Sequence, residues 1–181
     1  PPASAQINWA FNDGNTGSQG AGGALQATGS TTVTITATND APVLSDVVSG
    51  GSALEGSGNL VFSGETVTDV DNADFNGGVL TVTTTSSPDP GTEPLVIVNA
   101  DGVTTSGSNV MVSGTIVGTF SGGSGGTPLT ITFNANAGAA EVQSVFTHIS
   151  IINNLQNPIS GVRTIEAVLT DGDGGTSNVC S

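Results

Sequence analysis

Short runs in which apolar residues alternate with polar ones, each cut off by a cluster of Gly, Asn, Asp, Ser or Pro, recur along this chain and limit it to strands and turns. Thr32–Ala37 places Val33, Ile35 and Ala37 on one face. Val79–Thr83, Val110–Val112, Ile116–Phe120, Leu129–Phe133 and Thr164–Leu169 follow suit, with Ser113-Gly114 reading as a turn. Aromatic residues are few and tyrosine is absent, so the core must come mainly from Val, Ile, Leu, Ala and Thr. Many short strands with regular turn signals predict an all-β chain folded as an antiparallel β-sandwich.

One segment changes period. Ala139, Val142, Val145, Phe146 and Ile149 fall at helical spacing. This predicts a short crossover helix over about 137–148, with Asn136 as its N-cap and Glu141 in the first turns, where the helix dipole favours a negative charge. The apolar stripe reads as core.

The organisation comes from an internal repeat. Ile7-Asn8-Trp9-Ala10-Phe11-Asn12-Asp13-Gly14-Asn15 matches Ile165-Glu166-Ala167-Val168-Leu169-Thr170-Asp171-Gly172-Asp173 at an offset of 158 residues (Ile165 against Ile7). After the first copy come a Gly-rich loop, the strand Thr31–Thr38 and Asn39-Asp40-Ala41-Pro42. Residues 1–40 therefore read as the last two strands of a preceding module, or as a donated strand segment. Residues 41–181 read as a module lacking its final strand, with an unpaired sheet edge. Trp9 is expected on a buried face.

Charge narrows the function. There are 15 acidic residues and one basic residue, Arg163, for a net charge of −14. Nucleic acid and anionic membrane surfaces are polyanions, so neither is an expected partner. No stretch is long and apolar enough for a transmembrane helix, and Pro1-Pro2-Ala3-Ser4 lacks the features of a signal peptide. The single Cys180 allows no internal disulfide. The acidic residues cluster: Asp69, Asp71 and Asp74 fall within six residues, directly before a strand. Such like charges repel, and a divalent cation is the simplest compensation. Calcium takes six to eight oxygens, several from carboxylates held on turns. Asp171-Gly172-Asp173 and its copy Asp13-Gly14-Asn15 are tight turns first and metal candidates second.

Three stretches resemble a known family. Thr38-Asn39-Asp40-Ala41-Pro42-Val43-Leu44 is similar to the linker between bacterial cadherin-like tandem repeats of giant extracellular surface proteins, of the RTX-adhesin type. Thr68–Val82, with Asp69-Val70-Asp71 and Asp74, and Arg163–Ser177, with Asp171-Gly172-Asp173, resemble further hallmarks of those repeats. The resemblance covers nearly the whole chain. It implies Ig- or cadherin-like β-sandwich modules in tandem, on the bacterial cell surface, with roles in adhesion or biofilm. It also implies calcium near module junctions. By matching position, Asn39, Asp40, Glu55 (in Ala53-Leu54-Glu55-Gly56), Asp69 and Asp71 would share ions there.

Catalytic patterns fit poorly. Gly122-Gly123-Ser124-Gly125-Gly126 matches a nucleophile-elbow spacing, but it lies in a low-complexity loop between two strands rather than before a helix. It also lacks the Asp of calcium-binding nonapeptide repeats. One His (His148) and one Cys do not make a zinc site. The expected function is thus non-enzymatic: a calcium-rigidified structural or adhesive module of a surface adhesin or extracellular fibre. Its partners would be neighbouring modules, or a cell-surface or matrix ligand. The alternative is a self-polymerising filament subunit, in which residues 1–40 complete the open edge of the next copy head to tail. A carbohydrate-binding module is less favoured, because aromatic platforms are nearly absent.

Overall fold

The structure, a computed structural model, describes residues 3–14, 23, 25–45 and 55–181. They fall into two units, divided between Thr38 and Asn39.

The first unit is a hairpin. Strand β1 (Ser4–Asn12) pairs antiparallel with β2 (Gln26–Thr34), setting Trp9 opposite Gly29 and Phe11 opposite Ala27. The two-residue period of a strand puts Ile7, Trp9, Phe11 and Val33 on one face and Gln6, Asn8, Ser30 and Thr32 on the other. Gly29 leaves room for the indole, since a β-carbon there would come within 2.2 Å of the Trp9 ring. Trp9 is not buried as its alternation predicts: it is 52% exposed, and Phe11 is 66% exposed. Among the described residues no second layer covers this face. Alternation tells which face is apolar; it does not tell whether anything packs on it.

The second unit holds the strands β3 (Val43–Leu44), β4 (Gly58–Leu60), β5 (Val67–Thr68), β6 (Val79–Ser86), β7 (Leu95–Ile97) and β8 (Val103–Ser106). It continues through β9 (Asn109–Val112), β10 (Thr115–Gly122), β11 (Leu129–Phe133), helix α1 (Ala139–Phe146), β12 (Ile149–Ile152) and β13 (Thr164–Leu169). A six-stranded antiparallel sheet runs β13-β6-β11-β10-β9-β8, a three-stranded one runs β4-β12-β7, and β3 pairs with β5. The chain thus has the all-β, antiparallel, sandwich-like fold that its alternation predicts. Leu80, Val82, Leu129, Ile131, Phe133, Ile165, Ala167 and Leu169 from the large sheet meet Phe62, Phe75, Phe146 and Ile149 in one core. Phe62 and Phe146 stack with ring centroids 4.4 Å apart. Each such buried side chain stabilises the fold by about 1.5–3 kcal/mol relative to exposure.

Turn chemistry sets the register. Ser113 (φ 50°) and Gly114 (φ 81°) form the two-residue connection between β9 and β10, the left-handed geometry that suits a hairpin. The helix is shorter than predicted and starts differently. Gly138, not Asn136, is its N-cap, and the Gly138 N–H donates to Glu141 Oε2 at 3.1 Å. Asn136 instead donates from Nδ2 to the Ile116 carbonyl at 3.0 Å, beside the bulge where β10 loses register with β9. Ile149, read as the end of the helical stripe, begins β12.

The paired strands β6 and β13 define two poles. Val79 hydrogen bonds with Thr170 at one end, and Ser86 lies opposite Thr164 at the other, roughly 25 Å away at the rise of a strand. The chain comes into the unit at the Thr170 pole, through Asn39 and Asp40. After β13 it turns at 171–175 and runs back along the outer edge of β13. There Cys180 exchanges backbone hydrogen bonds with Ala167 at 2.8 and 3.0 Å, and the Ser177 N–H donates to Leu169 O at 2.8 Å. This pairing matches that of the hairpin: Trp9 meets Gly29 where its repeat equivalent, Ala167, meets Cys180. Asn178 ties the returning segment to the incoming one, since Leu44 N–H donates to its Oδ1 at 3.1 Å and its Nδ2 donates to Leu44 O at 2.9 Å.

Candidate functional site

The Thr170 pole gathers acidic and amide side chains from three separate stretches. Asp171 follows β13 and is fully buried. Its Oδ1 accepts the backbone N–H groups of Asp173, Gly174 and Gly175 at 2.8, 2.9 and 2.9 Å. Its Oδ2 accepts the Asn39 amide at 2.7 Å. Burial alone would raise the pKa of Asp171. The Asn39 amide and the three backbone donors outweigh it, so its carboxyl stays below the usual value. The turn around it is close-packed: a β-carbon on Gly175 would lie 2.2 Å from Asp171 Oδ2 and 2.8 Å from Ala41 Cα. Gly172, at φ 93°, sits so near the Asn76 carbonyl that only glycine fits.

The second stretch precedes β6. Asp69 Oδ1 accepts the N–H groups of Asp71 and Asn72 at 3.2 and 3.0 Å. Asp69 Oδ2 is buried and has no hydrogen-bond partner. Asp71 receives the Asp40 backbone N–H on both oxygens, at 3.3 and 3.1 Å. Neighbouring linker residues are therefore fixed by different loops, Asn39 by Asp171 and Asp40 by Asp71. Asn72, which the sequence pattern did not single out, reaches the Asp171 carbonyl at 3.5 Å.

Of the residues expected to bind metal, the structure joins Asn39 to Asp171, the Asp40 backbone to Asp71, and the Asp71 backbone to Asp69. The others stand apart. Asp173 lends its N–H to Asp171 but its side chain is exposed. Asp74 accepts the Asn76 N–H at 3.0 Å and closes its own turn. Glu55 is exposed, and nothing among the described residues joins it to the cluster; Ala53 and Leu54 lie outside those residues. Asp13 belongs to the first unit, where its side chain accepts the Leu25 N–H at 3.1 Å; Asn15 lies outside the described residues. Among the described residues no three His, Cys, Asp or Glu side chains converge on one point: Asp69, Asp74 and Asp171 face backbone N–H donors instead. The donor set is nonetheless all hard oxygen, and Asp69 Oδ2 is a buried carboxylate oxygen that no donor reaches. Hard oxygen is the donor type that calcium takes, in sets of six to eight.

The opposite pole carries the sole cation. Arg163 Nε donates to Glu93 Oε1 at 2.9 Å, and Nη2 reaches Asp89 Oδ2 at 2.9 Å and Glu93 Oε1 at 2.8 Å. Asn153 Nδ2 donates to Glu93 Oε1 at 2.6 Å, and the Ser87 hydroxyl donates to Oε2. The Ile159 N–H donates to Asp89 Oδ2 at 2.8 Å. Burial pushes the Glu93 pKa up, but the Ser87, Asn153 and Arg163 contacts with the guanidinium charge bring it below its ordinary value. A cavity of about 360 Å³ opens beside Asp89 and Glu93, walled by Ser86, Gly123 and Thr127.

Fold and site together define an acidic, antiparallel β-sandwich-like unit whose incoming linker is locked by carboxylates. Comparison with known protein families, with curated proteins and with solved structures finds no match.

Proposed function

We propose that the chain is a non-enzymatic structural or adhesive module of an extracellular bacterial surface protein or fibre, stiffened by calcium at the pole where the linker comes in. The observation that carries this reading is the double fixing of the linker, Asn39 on Asp171 and Asp40 on Asp71, next to the unpartnered, buried Asp69 Oδ2. Asp69 and Asp71 would supply carboxylate oxygens, and the Asp40 backbone would stay tied to Asp71. Asp171 would hold Asn39 and the 171–175 turn in place. A cation there would offset part of the −14 net charge and pin the linker, so that modules joined through it extend as a rod.

Weak extracellular calcium sites work at about 10⁻⁴ to 10⁻³ M, which suits a protein bathed in millimolar calcium. Each occupied site then stabilises the fold by on the order of 1 kcal/mol, or about 2–4 °C in the thermal midpoint of a chain this size. The test is a melt in calcium-saturated buffer against one in chelator. The midpoint is expected to rise with calcium, and Asp69→Asn together with Asp71→Asn to abolish the rise. A midpoint indifferent to chelator in the parent protein removes the calcium role.

A further inference from the structure

The geometry points to the cavity at the Arg163 pole as a binding site for a small amino alcohol, a molecule that brings one ammonium group and a few hydroxyls. The cavity holds about 360 Å³, at the lower end of the roughly 300–1,000 Å³ of small-molecule sites. Its walls are held by the chain's own hydrogen bonds. The Asp89 carbonyl accepts the Thr92 hydroxyl at 2.8 Å, and the Ser124 carbonyl accepts the Thr127 hydroxyl at 2.6 Å. The Leu95 N–H donates to Gly123 O at 2.7 Å and joins the two loops.

Three observations select the ligand. The first is an oxygen without a donor. The Asp89 side chain lines the cavity and is only 7% exposed. Its Oδ2 accepts from Arg163 Nη2 and from the Ile159 N–H, whereas no donor among the described residues reaches Oδ1. Both oxygens of Glu93 are taken, Oε1 by Arg163 and Asn153 and Oε2 by Ser87. The second is charge. Asp89 and Glu93 share one guanidinium, which leaves one negative charge, and the chain has no lysine or second arginine to meet it. An anionic ligand is repelled. Calcium wants several carboxylate oxygens among six to eight ligands, and Asp89 Oδ1 is a single one. A bare monovalent ion leaves most of the volume unfilled. An ammonium group supplies one charge and three N–H donors, and its bond to a carboxylate is of the charge-assisted kind. The third is the rest of the lining. Thr84 and Ser86, at the end of β6, bring hydroxyls that make no hydrogen bond among the described residues. No aromatic ring is part of the lining. Hydroxyls on the ligand match such walls better than an apolar body does.

The probe is serinol, the amine analogue of glycerol, and glycerol itself is the control, since it differs only in a hydroxyl for the ammonium. Each is titrated into the full chain and followed by proton–nitrogen correlation spectra. Physiological ionic strength screens attraction to the acidic surface at large, and chelator is present throughout, so the result does not depend on the calcium reading. The amides of Gly91, Gly126 and Thr127 are expected to shift and saturate with serinol, and glycerol to bind about tenfold more weakly or worse. Asp89→Asn keeps an oxygen for Arg163 but removes the charge, and is expected to weaken serinol by about tenfold or more. Ser86→Phe, at the exposed end of β6, is expected to block serinol with the melting midpoint unchanged, so the test stands even where Asp89→Asn fails to fold. Equal affinity for serinol and glycerol overturns the inference. So do shifts that gather at 69–72 instead, or shifts that grow without saturation in parent and variants alike.

Discussion

Arg163→Met is expected to lower the unfolding free energy of the 39–181 unit by about 3–5 kcal/mol, the usual cost of removing one partner from a buried ion pair. Asp89 and Glu93 are each only 8% exposed, and Arg163 is their cationic partner. With the guanidinium gone, two buried carboxylates face each other with hydroxyl, amide and backbone donors alone. The pH dependence gives a sharper check. In the parent chain Glu93 is held below the ordinary value of a glutamate. Its contribution is fully present above that value and is lost as pH falls through the lower folded one. In Arg163→Met the guanidinium no longer lowers the Glu93 pKa, so it rises from its parental position. The loss of stability through Glu93 on acidification is therefore smaller in the variant than in the parent. Urea unfolding across mildly acidic to neutral pH reads both effects. A variant with parental midpoint and parental slope would show that the network contributes nothing. Replacing Asp89, Glu93 and Arg163 together by apolar residues of similar size should recover most of the loss.

Asp171→Ala is expected to cost about 3 kcal/mol, a large share of a total of about 5–15 kcal/mol. It strips the acceptor from the N–H groups of Asp173, Gly174 and Gly175 and from the Asn39 amide. It also leaves a hollow under the close-packed 171–175 turn. Asp171→Asn keeps one oxygen for the three backbone donors but sets an amide against Asn39, so it should lose about half as much. Asp171 lies below the ordinary value of an aspartate; its contribution is intact above that value and disappears as acid takes the carboxyl through its folded one. Equal urea midpoints for the parent, Ala and Asn proteins would contradict this account.

What the sequence shows of this fold depends on how local each signal is. The strands β6, β10, β11 and β13 are legible because they alternate over five residues or more. The strands β4 and β7 are not: Gly58-Asn59-Leu60 and Leu95-Val96-Ile97 are too short to carry a period, and neighbouring strands alone determine their pairing. Strand β12 was hidden because Ile149 continues the helical spacing of α1 by one step. At the site, Asn39, Asp40, Asp69, Asp71 and Asp171 stand out as turn-borne acids and amides in a repeat. The Arg163 network does not, since Asp89, Glu93 and Asn153 lie 60 or more residues from at least one partner, and nothing in a single sequence marks such a pairing. The exposure of Trp9 was likewise illegible, because a strand carries its pattern whether or not its cover is at hand.

The mutual hold of Asn178 and Leu44 has a mechanical consequence. The chain comes in at one pole, and the segment bearing Asn178 heads for the other, so tension along the module pulls these two segments past each other. The hydrogen bonds between 177–180 and β13 lie across the strand direction. A pull along the strand therefore loads them sideways and together, and they cannot open one after another like a zipper. The Asn178 side chain extends that shared load to the incoming strand, so resistance to sliding is built in where the two segments meet.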